Sequence, residues 1–326
     1  MSKILITGGG GFIGSHIVDK LLLMGHEVVV IDCQKDIPIN LRHNINNKNF
    51  QYIVGDVTNK KLLEEVITKD DYDIIYHLAA IVGVKNYIED PLNTINVNVI
   101  GTKNIIDIAL KNDIKILFTS TSEIFGKNPN IPWDEDSDRV LGSTKIHRWA
   151  YSTSKALCEH MLYAVYDKYQ LPIVVIRYFN IYGPRQKPIF VVPNMIKRVL
   201  NGQNPIVFSN GEQTRCFTYV EDAVEGTILA ATKKVAEGET FNIGSEFEMK
   251  IKDLAKLIIR LCSMDGKLHL EFRENNEVYN SYEDIKRRVP NVEKAKKLLN
   301  WKAKTTPEEG IKKTIEWYKK HPEYLI

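Results

Sequence analysis

Cysteine is scarce in this chain: Cys33, Cys158, Cys216 and Cys262 lie far apart in 326 residues, with no Cys-x-x-Cys pair. That spacing argues against a disulfide framework and a structural zinc site, so no metal is expected, and it points to a reduced, cytoplasmic protein. No apolar run reaches the roughly 18 residues of a membrane span, so no membrane contact is expected. No charge of one sign dominates either. Lysine and arginine number 44 against 41 acidic residues, a formal charge of +3, which is no nucleic-acid footprint. The start, "MSKILITGGGGFIG", runs directly into a strand and a glycine turn, so no signal peptide is expected. Internal repeats and low-complexity tracts are missing too. The lysine-rich "KAKKLLNWKAK" and "IKKTIEWYKK" carry apolar residues at helical spacing and read as solvated helix faces.

What is present is enough apolar residue, 44%, for a substantial core in one large domain or two ordinary ones. The first half alternates strand and helix patterns. "KILIT", "EVVVID", "FQYIVGDV", "YDIIYHLAA", "IKILFTS" and "PIVVIRYF" are strands. "FIGSHIVDKLLLMG", "KLLEEVI", "NTINVNVIGTKNIIDIALKN" and "YSTSKALCEHMLYAVYDKY" are helices. Short apolar strands alternating with helices predict an α/β fold: a doubly wound parallel sheet, Rossmann-like, with ligands at the strand C-termini. This domain is expected to span residues 1–180, with a return near 213–235. Residues 181–326 are expected to form a smaller mixed α/β substrate domain. In it "VVPNMIKRVLNG" and "IKDLAKLIIRLC" read as helices and "PIVF" and "TFNIG" as short strands. The last helix has a readable start: Thr306 as N-cap, Pro307 at the first position, Glu309 three residues on.

"ITGGGGFIGSH" sets Gly8, Gly11 and Gly14 between the first strand and the first helix, with Phe12 and Ile13 opening that helix. Glycines there allow a tight turn and close backbone approach, and the helix N-terminus offers N–H groups to a pyrophosphate. Asp32 ends the second strand, where it can accept from an adenosine ribose and would repel a 2′-phosphate. NAD is therefore the expected cofactor, not NADP. Asp56 and Val57 in "GDV" can reach the adenine. Ala79 and Ala80 in "HLAA" are small, as a strand end under a dinucleotide requires. Asn98 is either a cofactor neighbour or a tie between helix and strand.

"YSTSK" puts Tyr151 and Lys155 on one helix face. A phenol ordinarily titrates near pH ~10. An ammonium about 4 Å away would favour the phenolate by a few kcal/mol at an effective dielectric near 20. Tyr151 is thus a candidate base for a sugar hydroxyl whose carbon gives hydride to NAD+. The strand end "FTSTSEIFG" adds Thr121, Ser122 and Glu123.

With these residues in place, the chain resembles the extended short-chain dehydrogenase/reductase family, in particular its nucleotide-sugar epimerases, dehydratases and decarboxylases. The resemblance runs through "TGGGGFIG", "GDV", "HLAA", "STSEIFG", "YSTSK", "RYFNIYGPRQ", "RCFTYVEDA", "FNIG" and "RRVPNVEKAKKLLNW". It implies bound NAD+, a nucleotide-sugar substrate (a UDP-sugar favoured) and a homodimer built on a helix bundle. By position it implies Thr121 beside the sugar 4-hydroxyl and Tyr178 near the nicotinamide. It likewise implies Asn180, Arg185 and Arg215 as substrate contacts, Arg215 on the diphosphate.

Members of the family begin by oxidising the sugar C4 and differ in the fate of the resulting ketone. A 4,6-dehydratase usually carries an Asp-Glu pair at the strand end, and Ser122 stands here where that Asp would be. Thr121-Ser122-Glu123 is similar to the triplet of UDP-glucuronate decarboxylases. "WDED", "HRWAYSTSK" and "YEDIKRRVP" also resemble those enzymes, Arg288 matching the arginine that works with the glutamate near C5. A UDP-hexuronate decarboxylase is the favoured expectation, with a UDP-sugar 4-epimerase and a 4,6-dehydratase as alternatives. A non-catalytic NAD-binding module would be marked by loss of Tyr151 or Lys155, and both are present.

Overall fold

Six β-branched runs make the first six strands: β1 (Lys3–Thr7), β2 (Glu27–Asp32), β3 (Phe50–Val54), β4 (Ile74–His77), β5 (Lys115–Thr121) and β6 (Ile173–Tyr178). This computed structural model describes residues 1–274 and 285–325. Between the strands run α1 (Phe12–Leu23), α2 (Lys60–Ile67), α3 (Val84–Glu89), α4 (Pro91–Asn112) and α5 (Arg148–Tyr169). The chain then leaves the sheet through β7 (Ile181–Tyr182), α6 (Val191–Leu200), β8 (Ile206–Phe208), β9 (Thr214–Cys216), β10 (Thr218–Tyr219) and α7 (Val220–Thr232). It returns with β11 (Glu239–Ile243). It ends in β12 (Glu248–Lys250), α8 (Ile251–Leu261), β13 (Glu271–Arg273), β14 (Arg287–Arg288) and α9 (Pro307–Lys320).

The central sheet is a seven-stranded Rossmann sheet in the order β11-β6-β5-β4-β1-β2-β3, parallel throughout. The order reverses between β1 and β4, and ligands of such sheets sit at that crevice. Both faces are covered, which is why strands such as β4 and β6 are buried along most of their length rather than alternating. One apolar cluster lies on the α2, α4 and α5 side. The other runs from α1 and α7 into the smaller lobe through Ile181, Val192, Leu254 and Ile311. The two lobes therefore share a core.

Two element boundaries differ from the sequence pattern, and both matter for the site. The "TFNIG" strand, expected in the smaller domain, is β11 and pairs with β6, so the return to the sheet extends past 235 to Ile243. Helix α5 begins at Arg148 rather than Tyr151, because its cap, His147, is a helical residue with no side-chain bond to advertise it. The start of α9 is as expected: Thr306 Oγ1 accepts from Glu309 N at 3.3 Å, with Pro307 in the first turn.

Among the described residues the smaller lobe holds three short sheets. The relevant one is β12-β9-β14, where β14 runs parallel to β9 and pairs Arg288 with Arg215. Tyr282 to Asp284, the first residues of the "YEDIKRRVP" run, lie outside the described residues. Among the described residues, no helix is long and apolar enough to cross a membrane, and no group of three or more His, Cys, Asp or Glu could hold a metal ion.

Candidate active site

At the β1–α1 turn the backbone itself forms the binding surface. Gly8 has φ +72°, and a Cβ there would lie 2.7 Å from Ala79 N at the end of β4. A Cβ on Gly14 would meet Gly8 O at 2.5 Å, so the helix packs directly on the turn. Gly11, the cap of α1, brings no side chain to the first-turn N–H groups, and no acid occupies that turn. Phe12 and Ile13 carry those N–H groups. The arrangement leaves a cradle for a pyrophosphate at the positive end of the helix.

Asp32 is buried at the end of β2, where Oδ2 accepts from Gly10 N at 2.9 Å and Oδ1 from Gln34 N at 3.3 Å. The carboxylate thereby fixes the glycine turn at the edge of the cradle. Asp56 caps a turn by accepting from Thr58 N at 2.8 Å, and Val57 is buried against Gly101 of α4. Ala79 and Ala80 form the half-buried floor after β4. Asn98 is a tie: it accepts from Ile81 N at 3.0 Å and donates to Ser154 Oγ at 3.1 Å, joining the floor to α5. The residues fit a dinucleotide.

Beyond the cradle, β5 ends in a short turn. Thr121 Oγ1 accepts from Glu123 N at 3.1 Å and so caps the turn from Ser122 to Phe125. Tyr151 is buried, its ring stacked on Tyr87 of α3 with centroids 5.5 Å apart. Burial holds the Tyr151 phenol well above its ordinary range, the charge of Glu123 adds to that, and a hydrogen bond with Thr121 works the other way. Lys155 is also buried, and desolvation lowers it to about 8. Its Nζ donates to Thr119 O at 2.8 Å and lies over the Phe118 ring. In the protein alone it is burial, not Lys155, that dominates the Tyr151 phenol.

Glu123 is the centre of the remaining polar groups. Arg288 Nη1 lies 2.5 Å from Oε1, and Arg148 Nη2 lies 3.0 Å from Oε2. Burial would raise this carboxyl, but Arg288 first, then Arg148, with Arg215 behind them, hold it down at about 2. At an effective dielectric near 20, a contact at this range is worth about 5 kcal/mol before desolvation, itself several kcal/mol per ion. Two arginines tip that balance clearly toward the ionised form.

The three motifs that set the sequence beside decarboxylases converge here. "HRWA" supplies Arg148 and "RRVP" supplies Arg288. "WDED" holds the latter's strand: Trp133 N donates to Val289 O at 2.9 Å and Asn291 N to Trp133 O at 2.7 Å. Trp133, Trp149, Phe125 and Phe179 form a small apolar cluster beneath. Arg148 is the site residue to which the sequence motifs give no role. A signal for it exists, since Arg148, Tyr151 and Lys155 at i, i+3 and i+7 share one helix face.

Of the other residues, Ser122 is buried beside Glu123 in the same turn. Tyr178 ends β6 with its hydroxyl 2.7 Å from Thr227 Oγ1, and Asn180 Nδ2 donates to Cys216 O at 3.3 Å, next to Arg215. Arg185 does not join them. It pairs with Asp19 of α1 at 2.7 Å and lines a surface cleft with Arg42, Trp317 and Tyr324, the contacts of a brace.

Known proteins resemble this chain in sequence and fold. The family model described as GDP-mannose 4,6 dehydratase matches residues 5–314. A UDP-N-acetyl-alpha-D-glucosaminuronate decarboxylase from Bacillus cytotoxicus is 40% identical over 97% of this chain and 98% of its own. A UDP-glucuronic acid decarboxylase 1 from Xenopus tropicalis is 35% identical over 99% of this chain and 73% of its own. Among solved structures, a dTDP-glucose 4,6-dehydratase from Bacillus anthracis in complex with NAD superposes with a TM-score of 0.87, 28% identical, covering 100% of this chain and 99% of that one. The chain belongs to the GDP-mannose 4,6 dehydratase family of extended short-chain dehydrogenase/reductases, and is an enzyme of that family.

Proposed function

We propose that this enzyme is an NAD-dependent UDP-hexuronate decarboxylase. It would oxidise C4 of a UDP-linked uronic acid and release the C5 carboxyl group as CO2. The observation that carries the reading is Glu123, clamped between Arg288 and Arg148 two residues from Thr121. An epimerase that only exchanges hydride at C4 has no need of a guanidinium-bound carboxylate beside C5.

The turn from Gly8 to Gly14 would hold the NAD pyrophosphate, Asp32 the ribose, Asp56 and Val57 the adenine, with Ala79, Ala80 and Tyr178 toward the nicotinamide. Bound NAD+ supplies the hydride acceptor and a positive ring that favours the Tyr151 phenolate. Tyr151, hydrogen-bonded through Thr121, takes the C4 hydroxyl proton, and the Lys155 ammonium supports that charge. Asn180 and Arg215 would hold the diphosphate end, where the arginine fork suits phosphate oxygens.

Once C4 is a ketone, the C5 carboxylate is β to it. Breaking the bond from C5 to the carboxyl carbon sends its electron pair into the C4 enolate, which Tyr151 and Thr121 stabilise by hydrogen bonding. A proton from water then replaces CO2 at C5, and the proton that Tyr151 took from the C4 hydroxyl passes to the hydroxide left behind. Glu123, ionised at about 2 and above, acts there as an acceptor that orients water or the Ser122 hydroxyl, not as an acid. The guanidinium of Arg288 keeps two carboxylates from facing each other unscreened.

A homodimer belongs to the same proposal. The outer faces of α4 and α5 leave Leu92, Ile95, Ile100 and Leu157 exposed, an apolar stripe that a second copy would cover.

The test is incubation with NAD+ and a panel of UDP-, dTDP- and GDP-sugars, including UDP-glucuronate and its 2-acetamido analogue, with the products read by mass spectrometry. Loss of CO2 from a UDP-hexuronate is the expected result. Loss of water, or an unchanged mass with inverted C4, would make it a dehydratase or an epimerase instead.

A further inference from the structure

Arg148 opens α5 with its side chain 1% exposed, and its guanidinium lies over the Trp149 ring at 5.3 Å. It takes one oxygen of Glu123 while Arg288, on β14, takes the other. The two oxygens are thus divided between the sheet domain and the smaller lobe. A carboxylate gripped by one arginine can still turn about its last bond. Gripped at both oxygens from two elements, it cannot.

The helix that makes the second grip also carries Tyr151, one turn further along the same face. We propose that Arg148 is a positioning residue: it ties Glu123 to the helix of Tyr151, so that the groups serving C4 and C5 are presented to the sugar in one fixed relation. This rests on the decarboxylase reading of the site. The groups facing Glu123 are Arg288 from β14, Arg215 from β9, and Arg148 and Tyr151 from α5. Removing Arg148 leaves burial, which raises the Glu123 carboxyl, opposed by one fewer arginine. Its titration then moves up toward the working pH.

The experiment tracks labelled CO2 released from a carboxyl-labelled UDP-hexuronate by the NAD-loaded enzyme, across the pH range in which each variant stays folded. Arg148→Met is expected to lower kcat for CO2 about a hundredfold, the scale of a 1 Å misplacement, with KM changed by less than about threefold. The acid limb of its profile moves to higher pH. Arg148→Lys keeps the charge and one contact, and is expected to recover CO2 release to within about tenfold of the original enzyme and most of the limb. In a Glu123→Gln background, Arg148→Met adds no further loss, because the carboxylate it positions is gone.

Equal losses in both backgrounds, an unmoved acid limb, or no rescue by lysine would overturn the inference. Should Arg148→Met fail to fold, Arg148→Lys is compared in the original and Glu123→Gln backgrounds: a loss seen only where Glu123 is present supports the inference, and an equal loss in both overturns it. If the unaltered enzyme releases no CO2 from either hexuronate, the functional reading falls and takes this inference with it. If it releases CO2 and the variants behave as described for the overturning case, only the inference falls.

Discussion

The two ends of the site are built differently. The dinucleotide cradle comes from one short contiguous stretch, Gly8 to Gly14, plus the ends of the next strands of the same sheet, and its chemistry is backbone N–H and missing side chains. The Glu123 end is assembled from four distant segments, at 121–123, 133–135, 148–151 and 287–291, across two lobes, and its chemistry is buried charge. The first end fits the cofactor that the reactions of this family share. In the proposed function, the second is what separates a decarboxylase from an epimerase.

That contrast can be broken by substitutions at each end. Tyr151→Phe removes the group common to all the reactions, so C4 oxidation should fall by roughly 10³-fold, as for loss of a general base. Nicotinamide absorbance after mixing with a UDP-hexuronate reads this directly, and undiminished reduction would show that Tyr151 is not the base. Gly8→Ala should come next. A Cβ 2.7 Å from Ala79 N at φ +72° strains the turn by about 1–3 kcal/mol. Thermal unfolding should shift down and NAD affinity weaken, while an unchanged Tm would mean that the turn relaxes freely. Asp32→Asn is smaller. It trades a charged acceptor for a neutral one, so the preference for NAD over NADP should drop by about tenfold, measured by calorimetry with both dinucleotides. Leu157→Glu on the exposed face of α5 should convert the proposed dimer to a monomer in light scattering, with the cradle intact, and a chain that is monomeric before the substitution would overturn the dimer.

Glu123 also sets a pH signature on stability. Its folded pKa, about 2, lies below the ordinary value of 4.5, so the stabilisation it contributes is fully present above pH 4.5 and is lost as pH falls toward 2. Glu123→Gln should lack that acid-linked component.

The same contrast explains what is legible in the sequence. The cradle, the strands of the sheet and the start of α9 are readable because each depends on neighbours in the chain: glycines that only a turn requires, apolar runs of strand length, a Thr-Pro-x-Glu cap. The role of Arg148 is not, because α5 starts without a capping side chain and the arginine sits before the recognised Tyr-Lys pair. "WDED" can be noticed but not interpreted, since its contact with Val289 and Asn291 spans more than 150 residues. The expected pull of Lys155 on the Tyr151 phenol is not the dominant influence in the protein alone. The two share a face, yet the ammonium is held by Thr119 O while burial dominates the phenol. Arg185, placed with the substrate by its motif, is held by Asp19.

The division of labour between the two ends is tested most directly by Glu123→Gln given NAD+ and carboxyl-labelled UDP-hexuronate, with reduced nicotinamide and labelled CO2 measured in the same reaction. If the cradle and Tyr151 serve C4 while Glu123 serves C5, nicotinamide reduction persists within about tenfold and CO2 release falls by a further hundredfold or so. If both fall together, or if CO2 release is unaffected, the assignment of Glu123 to the carboxyl-bearing carbon is wrong.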